Sequence, residues 1–239
     1  MRPRPLRVLI RNYRQIAVLS ALIFASALCA ALLVVRIVHS RSFGYIGFGW
    51  NLLLAWLPML CALAAYNLFK RRSRLSWLVV LGCAAVWLLF FPNAPYLLTD
   101  IVHLSPRPDV PFWYDLLLVM AFALTGVLLG LVSLFLMQML VSRALGPLLS
   151  WVFAVGVLGL SGFGIYLGRF LRWNSWDLFL NPAQLIGDVL HTMRHPLANW
   201  RTFAFSGLFS LVFLSAYLTF AALAHWQWER QPNELEWLQ

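Results

Sequence analysis

Six long apolar segments constrain this chain more than any other feature. They run at about 16–38, 50–69, 75–91, 112–141, 148–170 and 203–226. At about 1.5 Å of rise per residue, each reaches across a hydrocarbon layer of ~30 Å as a helix. Only helices and closed barrels satisfy their backbone in lipid, and these segments lack the ten-residue alternation of barrel strands. Composition agrees. Of 239 residues, 62% are hydrophobic and 11% charged, with a mean hydropathy of +0.79. A soluble domain is nearer half apolar and a quarter charged. The expected fold is therefore all-α: a polytopic transmembrane helical bundle of about six spans, forming one integral membrane domain over 1–239, with the lipid bilayer as its main partner.

The first span is read as uncleaved. The run from Ile16 to Val35 is longer than the apolar core of a signal peptide. Leu28 before Cys29 fits a lipoprotein cleavage site poorly. Cys29, Cys61 and Cys83 each sit inside an apolar run without metal-ligand spacing, and read as small buried hydrophobes.

The net charge of +10 comes from 18 Lys and Arg against 8 Asp and Glu. Beside apolar spans, basic residues set topology and meet anionic lipid heads, so this excess does not point to nucleic acid. Arg2, Arg4, Arg7, Arg11 and Arg14 precede the first span; Lys70, Arg71, Arg72 and Arg74 lie between the second and third. With Arg143 and Arg230, one side collects 11 of the 18 basic residues and the other 7. Both termini are thus expected in the cytoplasm, against anionic lipid heads. Tryptophans mark the interfaces: Trp50, Trp113, Trp173, Trp176 and Trp200 at outer ends, Trp77, Trp151, Trp226 and Trp228 at inner ones.

Polar chemistry concentrates on the outer side. Asp100, Asp109, Asp115, Asp177 and Asp188 map there; Glu229, Glu234 and Glu236 map to the inner tail. His39, His103, His191 and His195 are also outer, as are Arg169, Arg172, Arg194 and Arg201. Two outer connections, 92–111 and 171–202, carry most of these residues. In the first, Pro92 and Pro95 should end the third span. An α-helix beyond them places Leu97, Leu98, Ile101 and Leu104 on one face, with Thr99, Asp100 and His103 off it. This predicts a short amphipathic helix at the outer interface.

Shifted by 88 positions, the second connection echoes the first. Asn93, Leu97, Asp100, His103 and Pro108 fall on Asn181, Leu185, Asp188, His191 and Pro196. One reading is an internal repeat of 75–141 in 148–226; chance is the other. A repeat yields two Asp-x-x-His pairs, the kind of motif with which helical bundles hold metals. Asp100, His103, Asp188 and His191 would then suit a divalent metal, with His195 as a further imidazole. The competing reading is a set of interfacial residues hydrogen-bonded to one another or to lipid heads.

A third cluster runs Gly168-Arg169-Phe170-Leu171-Arg172-Trp173-Asn174-Ser175-Trp176-Asp177. Arg169 and Arg172 suit a helix C-terminus, and Asp115 a helix N-terminus. Either arginine is a natural partner for Asp115 or Asp100, or for a phosphate or carboxylate substrate. Gly126-x-x-x-Gly130 and the glycines at 156, 159, 162, 164 and 168 suggest close helix packing, or a hinge. Pro58 is positioned to kink the second span.

The segments FPNAPYLLTDIVHL, WYDLLL and GRFLRWNSWD, in this order, resemble the DUF1361 family of bacterial integral membrane proteins over about residues 50–226. The resemblance implies a multi-pass protein of a bacterial cytoplasmic membrane, and no activity, because the family is named for an unknown function. Asn93, Pro95, Tyr96, Thr99, Asp100, His103, Asp115, Arg169, Arg172, Asn174 and Asp177 are the family-like positions. Three functional readings follow: an outward-facing polar site for an envelope or lipid-linked substrate, with or without metal-assisted chemistry; a transporter; and a non-enzymatic component binding lipid or another protein. Whether the chain is an enzyme stays open, as does any protein partner. No nucleophile elbow, P-loop or HExxH is present.

Overall fold

A computed structural model describes residues 4–69, 73–106 and 108–230. The side chains of Arg2, Arg4, Arg7, Arg11, Arg14, Lys70, Arg71, Arg72, Arg74, Trp226, Trp228, Glu229, Arg230, Glu234 and Glu236 lie outside the described residues. The chain is all-α. Its helices are α1 (Arg4–Ser40), α2 (Ile46–Leu68), α3 (Arg74–Phe90), α4 (Asn93–Tyr96), α5 (Phe112–Leu145), α6 (Pro147–Phe170), α7 (Asp177–Leu180), α8 (Pro182–Arg194) and α9 (Trp200–Arg230), with a 3-10 helix at Leu97–His103. Among the described residues six helical stretches are long and apolar enough to cross a membrane. They overlap the six apolar segments of the sequence, the third running on to His103, and the protein is a multi-pass membrane protein.

Local chemistry sets several ends. Ser73 caps α3 by accepting the Ser76 N–H at 3.1 Å. α5 and α6 meet at Gly146, whose φ of +95° favours a residue without a Cβ, and Pro147 then opens α6. Contacts divide the chain into two compact units.

The first unit comprises Met1–Trp56 and Asn93–Gly130. Its core includes Leu33, Tyr45, Phe48, Leu52, Leu118 and Phe122. The glycine pair of the fourth span has a specific task here. A Cβ at Gly126 would run into the Ala94 carbonyl oxygen and the Leu97 side chain, and one at Gly130 would meet Ala94 Cβ and Pro95. The two glycines therefore make a seat for the short α4 turn, whose Ala94 and Pro95 are buried.

The segment after this seat takes a tighter path. Leu97–His103 is a 3-10 helix, and its buried residues are Leu97, Thr99 and Asp100. Ile101 and Val102 are exposed instead, at 40% and 72%. The segment expected as a short amphipathic α-helix is thus a 3-10 helix, with Ile101 on its exposed side and Asp100 on its buried one. With three residues per turn, Leu97, Asp100 and His103 fall on one edge.

The second unit comprises Leu57–Pro92 and Leu131–Gln239. α6 and α9 pack closely at Gly162, where a Cβ would strike Ser206 O and the Ser210 hydroxyl. Ser210 Oγ donates across that contact to Leu158 O at 3.1 Å. Gly164 leaves room for the Pro92 ring, whereas Gly156 and Gly159 face open space. Tyr217 of α9 donates a buried hydrogen bond to Gln138 of α5. α8 leaves Ile186, Leu190 and Met193 exposed, which suits an amphipathic helix lying at a lipid interface.

Candidate functional site

Two polar arrangements stand close together in the first unit. The deeper is an ion pair. Arg36, in the last part of α1, donates from Nε to Asp115 Oδ1 at 2.7 Å and from Nη2 to Oδ2 at 3.1 Å. Both side chains are almost wholly buried, at 0% and 2% exposure. The fork-to-fork geometry is the strong form of this pairing. Tyr45 completes it: the Arg36 guanidinium carbon lies 3.7 Å from the ring centroid. Among the described residues, Arg36 Nη1 is buried and finds no hydrogen-bond partner. Asp115 therefore pairs with Arg36 of its own unit.

The second arrangement is a cavity of about 190 Å³ lined by Gly44, Tyr45, Gly47, Phe48, Asn51, Asp100 and His103. Asp100 is 2% exposed. Asn51 Nδ2 donates to its Oδ2 at 3.0 Å. The Tyr45 hydroxyl makes a long contact of 3.4 Å with the His103 carbonyl. His103, Gly44 and Gly47 are exposed, so the cavity has a mouth at the surface. Tyr45 belongs to both arrangements: it stacks on Arg36 and forms part of the cavity wall.

Other expected site residues play local parts. Thr99 Oγ1 donates to the Tyr96 carbonyl at 2.7 Å, securing the step from α4 into the 3-10 helix. Asn93 and Tyr96 are half-buried there. In the second unit, Asp177 Oδ2 accepts both the backbone N–H of Asn174 (2.7 Å) and its side-chain amide (3.3 Å), closing a turn on itself. Ser175 ties this loop to the Leu89 carbonyl at 3.2 Å. Arg172 is exposed and holds a left-handed φ of 60°, where a side chain is strained. Arg169 is half-buried in the last turn of α6.

Asp188 accepts the Trp173 indole N–H at 3.0 Å, and the His191 and His195 rings lie 5.2 Å apart. Among the described residues, no three His, Cys, Asp or Glu side chains gather as a metal site would require.

The chain matches the model of the family described as protein of unknown function (DUF1361) over residues 50–216. It belongs to the DUF1361 family. No curated protein and no solved structure matches it. Asp100, His103 and Asp115 of this DUF1361 protein lie within the matched region, as does Asn51. Arg36 and Tyr45 precede it.

Sequence reasoning missed Arg36, Tyr45 and Asn51. Counting Arg36 among topology charges hides it. The signal available was its position between Val34, Val35, Ile37 and Val38, because an ionisable residue inside an apolar run is a functional candidate by default. Asn51, near the start of the second span, carried no comparable signal.

Proposed function

We propose that this DUF1361 protein binds an envelope or lipid-linked substrate through the polar cavity at Asp100, on the non-cytoplasmic side of a cell membrane. The observation that carries this reading is a nearly buried carboxylate facing a small cavity with a surface mouth. A carboxylate is expensive to keep out of water, and in a membrane protein such a group marks a working site by default. Asn51 orients it, and His103 stands one 3-10 turn away at the rim. The surroundings favour an amphipathic ligand. Phe43, Ile46, Trp50 and Val102, neighbours in sequence of the lining residues, are 67%, 57%, 55% and 72% exposed. They offer an apolar bed for a hydrocarbon tail while the cavity takes the polar group. The outward direction rests on the basic N-terminus and 70–74 loop; reporter fusions at either terminus test it, and a terminus found outside the cytoplasm overturns it.

The test of binding uses protein in nanodiscs made from a total membrane lipid extract. Native mass spectrometry should find a retained lipid-mass species in the parent and its loss in Asp100→Asn, with both proteins equally folded. Equal retention by the two sinks the reading. A metal-assisted version would use Asp100 and His103 as ligands. Elemental analysis of the purified protein decides it: stoichiometric metal that falls in Asp100→Ala and His103→Ala supports the version, and metal unchanged by these substitutions ends it.

A further inference from the structure

α6 ends at Phe170 and α9 begins at Trp200, and both are long and apolar enough to cross a membrane. The connection between them therefore starts and finishes at one face of the bilayer, and α8 lies within it. We infer that α8 seats at the lipid boundary and that its basic edge holds the phosphate-bearing headgroup of an anionic lipid. Its residues belong to the second unit, whereas those lining the Asp100 cavity belong to the first.

The helix divides into three sectors when its residues are placed at about 100° intervals. Leu185, Asp188, Val189 and Thr192 share the first, and all are buried or half-buried. This sector packs on the protein: the Trp173 indole donates to Asp188 at 3.0 Å. Ile186, Leu190 and Met193 share the second, and they are 49%, 44% and 61% exposed. α7, which packs against α8, adds exposed Phe179 and Leu180. Gln184, His191 and Arg194 make the third sector, and all are exposed. A helix in water needs two kinds of face, one for the protein and one for solvent. A third, apolar and open, is what a helix lying in the interface presents to hydrocarbon.

The polar sector selects the headgroup. Arg194 is charged at neutral pH, and among the described residues it has no hydrogen bond or ion pair. His191 and His195 stand beside it with ring centroids 5.2 Å apart, close enough for one phosphate to meet both. Each imidazole offers a ring N–H, and the guanidinium offers a fork of donors. The carboxylate of this helix, Asp188, lies in the protein-facing sector instead. Anionic lipid attracts a basic edge of this kind, and the apolar sector beneath it meets the acyl chains.

Hydrogen–deuterium exchange of the full chain in nanodiscs tests the seat, with phosphatidylcholine alone or mixed with phosphatidylglycerol. Amides of 183–195 should exchange about fivefold more slowly with phosphatidylglycerol present, the contribution of one arginine near an anionic surface. Arg194→Gln combined with His191→Gln and His195→Gln should erase that difference, and so should high salt. These side chains are exposed, and unchanged exchange in α5 checks that the fold survives. Ile186→Gln with Met193→Gln should speed exchange of 183–195 in both bilayers. Equal protection in the two bilayers, or a difference that survives the triple substitution, overturns the anionic headgroup. Protection indifferent to Ile186→Gln with Met193→Gln overturns the lipid seat. Dimers in native mass spectra that are lost in that double variant, with exchange insensitive to lipid, would assign the face to a second copy of the chain instead.

Discussion

Arg36 and Asp115, 79 residues apart in sequence, close a two-pronged ion pair inside the first unit, and Tyr45 lies against the guanidinium. The pair joins the end of α1 to the first turn of α5. Tyr45 then relays that join to the wall of the Asp100 cavity. A buried pair of this kind is worth little compared with an apolar one, but half of it is costly. Arg36→Met or Asp115→Leu should each destabilise the protein by about 3–5 kcal/mol. The double variant should recover most of that loss. Unfolding by dodecyl sulfate titration measures all three; additive losses in the double variant would refute the coupling.

The glycines of the fourth and fifth spans are not equivalent. Gly126→Ala should lower stability clearly, by about 1–3 kcal/mol, because the added methyl overpacks against the Ala94 carbonyl and Leu97. Gly159→Ala, with open space around it, should be neutral or stabilising by about 0.5–1 kcal/mol through helix propensity. Thermal stability in detergent separates them. Equal behaviour would mean that α4 is not seated on Gly126.

Two acidic clusters compete for the functional role, and paired substitutions distinguish them. Asn51→Leu removes the amide that orients Asp100 and should cut lipid retention at least tenfold while the protein stays folded. Asp177→Ala opens only the local Asn174 turn and should leave retention unchanged. The opposite pattern would move the site to the 171–177 loop.

In the second unit, Tyr217→Phe deletes the donor to Gln138 and leaves a buried amide oxygen unpaired. The expected cost is about 1–3 kcal/mol. Tyr217→Phe combined with Gln138→Leu should restore part of it. No loss in the single variant would show that Gln138 is satisfied elsewhere.

Much of this protein was legible in the residues alone. Lipid reads hydropathy locally, over about 20 consecutive positions, so the six spans appear in the sequence near where the helices stand. Pro92, Gly146 and Pro147 likewise announce breaks, since their restrictions act on their own φ and ψ. Asp100 and His103 were recognisable as unusual, but their facing was not. An α-helical reading sets Asp100 apart from the apolar face; in the 3-10 helix that follows Ala94, seated on Gly126 and Gly130, it is buried. That contact spans about 30 residues of sequence and leaves no periodic trace. The pairing of Arg36 with Asp115 is longer still in range, and the charge of either residue alone is explained equally well by topology or by a helix dipole. The sequence by itself determined a six-span, all-α membrane protein and the residues capable of chemistry. Tertiary packing decided which of them meet: it placed Asn51, Tyr45 and His103 around Asp100, and gave Asp115 to Arg36.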